Sequence, residues 1–184
     1  MDSVFEELYE KYHHDVFQFL LYMVRDREQA EDLVQEVYIR VMKSYQNFQG
    51  KSSEKTWLFS IAKNVAIDYF RKQKGWKNKI LEKFDWNRQQ IKDEAVLPEE
   101  VAEQKEEVRV LYECLEHCTT DQRLVIVMRY IQDLSISEAS SILGWTESKV
   151  KTTQHRAVKA LRDMMNEKIR KEESEHESIK MGRS

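Results

Sequence analysis

The sequence has little of the residues that interrupt regular structure or cross-link chains: one proline, four glycines and two cysteines in 184 residues. An all-β fold needs more turn residues than this, so the composition argues for long helices. Two cysteines cannot build a disulfide framework, which indicates a reducing compartment, and no secretory signal opens the chain. The longest nearly apolar run, residues 16–24, is too short to span a membrane. We therefore expect an all-α, cytoplasmic protein.

Charge is abundant, since 34% of the residues are Asp, Glu, Lys or Arg, and its sign alternates along the chain. Residues 1–50 carry a net charge of −5, residues 51–92 carry +7, residues 93–118 carry −7 and residues 119–165 carry +2. This pattern predicts two cationic surfaces separated by an acidic connector. Nucleic acid would be attracted to the cationic blocks, and the alternative is a solvated helical surface with uneven charge.

Apolar residues recur at helical spacing in three segments before residue 75. Gly50 stands where the second of these helices should end, and Ser52 or Ser53 is placed to cap the third. The third helix should end in the basic stretch before Gly75. Three helices of this size enclose a small core, so residues 1–74 are expected to form one domain.

The helical pattern then stops and resumes nearer the end of the chain. Residues 75–104 hold the only proline and an acidic cluster, and we expect a flexible linker with partial helix at best. Residues 105–165 again show helical spacing and predict a second small helical domain. Residues 166–184 form a charged tail without a core pattern, which is expected to be frayed or disordered.

The most specific local pattern is a helix-turn-helix within residues 135–165. Ser135 and Glu138 form a capping box, Gly144 supplies a tight turn, and Thr146 can cap a second, longer helix. That second helix carries a local excess of positive charge on its outer face, which suits entry into a DNA major groove. A basic amphipathic helix on any solvated surface is the alternative. The candidate DNA-binding residues are Lys149, Lys151, Thr152, His155 and Arg156.

Two earlier surfaces are also candidates for binding. Residues 51–76 mix basic and aromatic side chains, a combination that suits unpaired bases of single-stranded nucleic acid, although Trp57 and Phe70 can equally belong to the core. The outer face of the second helix presents Asp32 and its acidic and polar neighbours. That face is either simply solvated or an acidic docking surface for a protein partner.

The patterns for enzyme chemistry are weak. Cys114, His117 and Cys118 share one helical face, but a fourth zinc ligand is missing, so free thiols are favoured. The Glu-x-x-His pairs at residues 10–13 and 173–176 have the spacing of the metal ligands in di-iron helical bundles. The second pair lies in the polar tail, where a buried metal site is hard to build. Phosphate-loop, nucleophile-elbow and zinc-protease motifs are absent from the sequence. We expect no catalytic residue, no metal and no cofactor.

Two ordered blocks of motifs resemble the two conserved domains of bacterial sigma factors. The first block comprises residues 30–41, Phe48-Gln49-Gly50, Thr56-Trp57-Leu58 and the Ala62-Lys63-Asn64 stretch that leads to Asp68 and Arg71. The second comprises Gln122-Arg123, Arg129-Tyr130, Glu138, Leu143-Gly144, Val150-Lys151 and His155-Arg156-Ala157. With no third domain between them, residues 5–165 are similar to the extracytoplasmic-function (ECF) class of RNA polymerase sigma factors.

The resemblance implies roles for particular residues. Asp32, Gln35, Glu36 and Met42 would dock the clamp helices in the largest subunit of core RNA polymerase. Phe48, Lys55, Trp57, Lys63, Asn64 and Arg71 would melt the minus-ten promoter element and hold a flipped base. Lys149, Lys151, Thr152, His155 and Arg156 would read the duplex minus-thirty-five element. The acidic linker would lie in the RNA path of the polymerase, and an anti-sigma factor, often membrane-anchored, would hold the protein inactive.

The sequence departs from the family pattern at three places. Cys118-Thr119 replaces the usual Leu-Pro, Ala139-Ser140 replaces Ile-Ala, and His155 replaces a larger aromatic residue. Two other functions stay open at this point. A helix-turn-helix repressor or activator would share residues 135–165 but would not need the face around Asp32, and a metal-dependent helical-bundle enzyme would need bound metal.

Overall fold

The computed structural model describes residues 2–83 and 97–182, and every regular element within them is helical, which confirms the all-α expectation. The α-helices are α1 (Asp2–Val24), α2 (Arg27–Ser44), α3 (Glu54–Lys83), α4 (Glu99–Ala102), α5 (Glu106–Cys114), α6 (Thr120–Ile126), α7 (Ile136–Leu143) and α8 (Glu147–Met181). Two 3₁₀ turns occupy Tyr45–Asn47 and Leu115–His117, and a π-helical turn occupies Val127–Ile131.

Helices α1, α2 and α3 pack into the first helical unit. The Asp26 side chain caps α2 by accepting a hydrogen bond from the Gln29 N–H at 2.8 Å. Ser53 caps α3, because its hydroxyl oxygen accepts from the Thr56 N–H at 3.1 Å. Gly50, in the loop between these helices, has a φ of +67°, a conformation that glycine adopts without strain.

Helix α3 is longer than the sequence pattern predicts. Its expected end before Gly75 is wrong, because the helix continues to Lys83. One glycine in a helix costs only about 1 kcal/mol, and the residues around it are good helix formers. The expected linker also contains α4, with Val101 fully buried. Residues 84–96 of that linker lie outside the described residues.

The prediction of a frayed tail after residue 165 is also wrong. Helix α8 runs unbroken to Met181, and Gly182 follows it. Most side chains after residue 165 are exposed, and Lys168 makes an ion pair with Glu113 of α5. The segment contains no proline and no glycine before residue 182, so helix propensity alone suffices to continue the helix without a core.

In the second unit, α5 to α8, side-chain caps open α6, α7 and α8. Thr119 and Ser135 each form a reciprocal capping box with the Gln or Glu three residues later. Gly144 has a φ of +66°, so the turn between α7 and α8 uses the left-handed conformation available to glycine. The apolar run at residues 124–128 is buried in α6 and the π-helical turn, as the helical spacing over residues 105–165 predicts.

The two helical units pack against each other. Helix α7 contacts α3, the π-helical turn contacts α1, and the buried side chains of both units form one continuous cluster. Among the residues that the structure describes, no helix is long and apolar enough to cross a membrane.

The capping box of α7 predicts a pH-dependent contribution to stability. The Ser135 N–H donates to the Glu138 carboxylate at 2.7 Å, and this hydrogen bond lowers the pKa of Glu138 below its ordinary value of 4.5. A carboxyl group whose pKa is depressed by folding stabilises the folded state above its unfolded pKa, and this stabilisation disappears as the pH falls through the folded pKa. Between pH 6 and pH 3, we expect the melting temperature of Glu138→Gln to fall by less than that of the wild type. Thermal melts at both pH values measure this, and the control variant Glu147→Gln should behave like the wild type. An equal fall in Glu138→Gln and the wild type would contradict the prediction.

Candidate nucleic-acid and partner interfaces

An aromatic cleft lies where the loop after α2 meets the start of α3. The Phe48 and Trp57 rings are 4.8 Å apart between centroids, and Tyr45 contacts Trp57 edge-on at 5.9 Å. Phe48 and Trp57 are only half-buried, so part of each ring remains accessible. The cleft has a volume of about 190 Å³ and is lined by Asn47, Phe48, Gln49, Lys51, Ser52 and Trp57. Its rings, amides and lysine suit an unpaired base and its phosphate.

Polar residues of α3 extend this cleft along one side of the helix. Asn64 and Arg71 follow Trp57 by seven and fourteen residues, so all three lie close to one line on the helix surface. Asn64 and Arg71 are exposed. The structure therefore places Phe48, Trp57, Asn64 and Arg71 on one continuous surface, to which Tyr45 adds a ring that sequence reasoning missed.

Of the two lysines assigned to the same DNA site, Lys55 does not lie on this surface. Lys55 is nine residues before Asn64, which puts the two on opposite sides of a helix with about 100° per residue. Its ammonium group lies 6.0 Å from the Phe59 ring and interacts electrostatically with Glu138 of α7. Lys63 is half-buried, and burial lowers its pKa. In this packing of the two units, Lys55 therefore faces α7, away from the aromatic cleft.

The outer face of α2 combines polar and apolar exposure. Asp32 and Gln35 are exposed and make no hydrogen bond or ion pair with the residues that the structure describes. Met42 and Ile39 are 63% and 51% exposed, respectively. Exposed large apolar side chains beside unpaired polar groups are typical of a protein interface. Sequence reasoning missed Ile39, although its spacing of four from Gln35 and three from Met42 places it on the same face.

Glu36 differs from its neighbours on α2, because it takes part in a chain of ion pairs. The Arg40 guanidinium donates to the Glu36 carboxylate at 2.5 Å and to Asp68 of α3 at 3.1 Å. The other oxygen of Asp68 lies 3.5 Å from the Arg71 guanidinium. These ion pairs join the outer face of α2 to the side of α3 that carries Asn64 and Arg71, so Arg40 orients one candidate interface against the other.

Helices α7 and α8 form the predicted helix-turn-helix. The Thr146 hydroxyl caps α8 by accepting from the Lys149 N–H at 3.1 Å, and Val150, Ala157 and Leu161 are buried beneath the helix. All five candidate DNA-binding residues are exposed on its outer side: Lys149, Lys151, Thr152, His155 and Arg156. The buried face thus fixes the direction in which these side chains project.

A groove runs between the start of α6 and the outer side of α8. It has a volume of about 510 Å³ and is lined by Thr119, Asp121, Gln122, Thr146, Ser148, Lys149, Thr152, Thr153 and Arg156. The Lys149 ammonium lies 3.8 Å from the centroid of the Trp145 ring, which restrains it beside the groove. The π-helical turn holds α8 from behind, since the Arg129 Nε donates to Gln154 at 2.9 Å.

The metal alternative finds no support in the residues that the structure describes, because no three His, Cys, Asp or Glu side chains there are grouped to hold an ion. Cys114 and Cys118 are buried free thiols, and burial raises the pKa of both. The His117 side chain is exposed, away from their buried environment.

Comparisons with known proteins assign the two units. Residues 8–75 match the family model for sigma-70 region 2, and residues 109–161 match the model for sigma-70 region 4. The chain is 52% identical to the ECF RNA polymerase sigma factor SigX of Bacillus subtilis over 183 residues, covering 100% of this chain and 93% of the relative. It is 31% identical to RNA polymerase sigma factor YlaC of the same species over 172 residues, covering 94% and 96%.

The chain is therefore a transcription initiation factor of the sigma-70 family, a class of proteins that are not enzymes. Within that family, it belongs to the ECF sigma factors, and over its whole length it is similar to the sigma-X type of Bacillus. A solved structure of the sigma factor RpoE with the anti-sigma factor NepR from Bartonella quintana shares the fold. Its TM-score is 0.71 at 21% identity, covering 88% of this chain and 96% of RpoE.

Proposed function

We propose that this chain binds core RNA polymerase through the outer face of α2 and directs it to promoters through two DNA contacts. The exposed side of α8 reads the duplex minus-thirty-five element. The aromatic cleft, with Asn64 and Arg71, holds an unpaired base of the minus-ten element. The observation that supports this proposal is a base-sized aromatic cleft on the same chain as a helix-turn-helix, because a repressor would not need such a cleft.

The division of labour follows from the chemistry of the two DNA surfaces. Side chains on α8 can reach base edges in a major groove without distorting the duplex. The cleft can hold only a base that has left the stack, so it stabilises melted DNA. Sequence-specific anchoring upstream and capture of single-stranded DNA downstream together favour the open promoter, and neither step requires catalysis by this chain.

We also propose control by an anti-sigma factor, because the similar RpoE was solved in complex with one. The chain would work in the cytoplasm, and a membrane-anchored anti-sigma factor would hold it at the membrane until a signal releases it. The acidic segment between the two units would lie in the RNA path of the polymerase.

Transcription in vitro tests the whole proposal. Core RNA polymerase, the purified chain and a library of randomised promoters should yield transcripts from one restricted set of sequences. No transcript from any template would contradict the proposal. Tight duplex binding by the chain alone, with no effect of polymerase, would support the repressor alternative instead.

Arg156→Ala tests the assignment of α8 to the minus-thirty-five element. If Arg156 contacts a base edge, its loss should cost about 1–3 kcal/mol in promoter binding and relax specificity at one base pair. Binding should be measured with the polymerase complex on wild-type and single-base-substituted promoters. Arg162→Ala, an exposed arginine farther along α8, is the matched control. An equal loss on all sequences would instead make Arg156 a phosphate contact.

A further inference from the structure

An acidic side chain lies on the side of α3 that carries Asn64 and Arg71. Asp68 stands four residues after Asn64 and three before Arg71, so the three share one side of the helix. The Asp68 side chain is 34% exposed. A carboxylate at this place repels the phosphates of any DNA that approaches. Its position is explained if its charge acts on a neighbouring side chain rather than on DNA.

The two oxygens of Asp68 face two arginines on different helices. Oδ2 accepts from the Arg40 guanidinium of α2 at 3.1 Å, and Oδ1 lies 3.5 Å from Nη1 of Arg71. The same Arg40 nitrogen also donates to Glu36 at 2.5 Å. Arg40 is thus held between two carboxylates, and it fixes Asp68 through one oxygen while the other is left for Arg71. A network of this kind orders side chains that a single surface ion pair would leave mobile.

Arg71 differs from its basic neighbours in having a partner. All of Arg71, Lys72 and Lys74 are exposed, but the two lysines make no ion pair with the residues that the structure describes. An unrestrained lysine attracts phosphates as a mobile point charge. An arginine that is held in one direction presents its planar guanidinium to a base edge or a phosphate in a fixed geometry.

The pairing with Asp68 directs Arg71 towards the aromatic cleft. Asp68 lies about one turn before Arg71, so the guanidinium is drawn back along α3 towards Asn64 and Trp57. Ordering an exposed arginine costs conformational entropy, and a side chain that is oriented before binding loses less of it. Asp68 therefore weakens the attraction for DNA in general but favours DNA that meets Arg71 in this one orientation.

We propose that Asp68 is a positioning residue of the minus-ten contact, which orients Arg71 beside the aromatic cleft while Arg40 holds its carboxylate. Asp68 itself touches no DNA. This inference rests on the proposed function for its ligand, which is the melted minus-ten strand. The consequence is specificity, because the carboxylate weakens binding to arbitrary DNA and strengthens binding to the melted promoter.

The affinity of the polymerase complex for a pre-melted promoter tests the proposal with Asp68→Asn, a change that keeps the shape and removes the charge. The affinity should fall by about 3- to 10-fold, a coupling expected between residues in contact. If the carboxylate acted only on DNA, its removal would raise the affinity instead, since a charge that repels phosphates is lost. The sign of the change therefore separates the two roles.

The same helix offers a matched control for Asp68. Glu54→Gln removes a carboxylate of α3 that interacts with Lys11 of α1 and not with Arg71, so it should not lower the affinity for the melted promoter. Asp68→Glu keeps the charge and should recover part of the affinity that Asp68→Asn loses. Thermal melts check that each variant is folded.

A double-mutant cycle shows whether Asp68 acts through Arg71. Arg71→Ala should weaken binding to the melted promoter, and adding Asp68→Asn to it should cause no further loss. An equal loss from Asp68→Asn with and without Arg71 would overturn the proposal, because Asp68 would then act directly on DNA or on the fold.

The order of the Arg71 side chain in the free chain tests the positioning without DNA. Nitrogen NMR relaxation at the arginine Nε atoms should show Arg71 to be more restricted than Arg162, an exposed arginine of α8. Asp68→Asn should make Arg71 as mobile as Arg162. Equal mobility of the two arginines in the wild type overturns the proposal, and it does so even if Asp68→Asn fails to fold.

Failure of the proposed function would appear differently from failure of the positioning role. Without a minus-ten contact, Arg71 would stay ordered by Asp68 in the free chain, but neither Arg71→Ala nor Asp68→Asn would change the affinity for melted DNA. A loss of affinity in Arg71→Ala, with none in Asp68→Asn, would overturn the positioning role alone.

Discussion

Replacing Trp57 by alanine is expected to reduce the affinity of the polymerase complex for a pre-melted promoter by about 5- to 150-fold. Stacking of one base on an aromatic side chain contributes about 1–3 kcal/mol. Trp57 forms the wall of the cleft and orients Phe48 at 4.8 Å, so its removal takes away both a stacking face and the order of the second ring. Binding to fully duplex DNA upstream should change little, because α8 supplies that contact.

The same helix offers a matched control for Trp57. Trp76 is 65% exposed on α3, and Trp76→Ala removes an equally large ring outside the cleft. Trp57→Phe should retain much of the affinity, since a smaller ring can still stack. Equilibrium titration with a labelled bubble template measures all three variants, and thermal melts check their folding. Equal losses from Trp57→Ala and Trp76→Ala would refute the assignment of the cleft.

The double variant Asp32→Ala with Gln35→Ala should weaken binding to core RNA polymerase by about 10- to 100-fold. This range corresponds to about 1.4–2.8 kcal/mol, and truncation of a single hot-spot residue near the centre of an interface costs about 2 kcal/mol or more. Both side chains are exposed and make no hydrogen bond or ion pair with the described residues, so the fold should not change. Adding Met42→Ala should weaken binding further, because Met42 is 63% exposed on the same face.

Two controls make the polymerase experiment specific. Glu7→Ala removes an exposed carboxylate from α1 and should leave polymerase affinity unchanged. Glu36→Ala also releases Arg40 from one of its two partners, so it should disturb Asp68 of α3 and affect DNA binding as well. A competition assay against a labelled sigma factor measures each affinity. If the Asp32 and Gln35 double variant binds polymerase with wild-type affinity, the outer face of α2 is not part of the polymerase interface.

Local sequence signals predicted the features that depend on a few neighbouring residues. The caps at Ser53, Ser135 and Thr146 and the tight turn at Gly144 all appear as expected. Each needs only a side-chain oxygen or a missing Cβ at one place, so nearby residues contain the necessary information. The helix-turn-helix and the exposure of its basic residues follow from the same local rules.

Helix ends were predicted less well where no core marks them. The extensions of α3 to Lys83 and of α8 to Met181 bury little, so hydrophobic periodicity carries no signal for them. The run at residues 16–24 is apolar except for Gln18, so apolar side chains cover nearly all sides of that part of α1, which indicates a second packing partner.

The order of residues alone determined that this chain is helical, where most of its helices begin, and which side of α8 is positively charged. Those properties depend on periodicity and capping, which act over one or two turns. Tertiary structure alone decided which residues of the basic and aromatic block share a surface. Trp57 lines the cleft and Asn64 and Arg71 lie on the same side of α3, whereas Lys55 faces α7, because the packing of the two units assigns opposite sides of α3 to different partners.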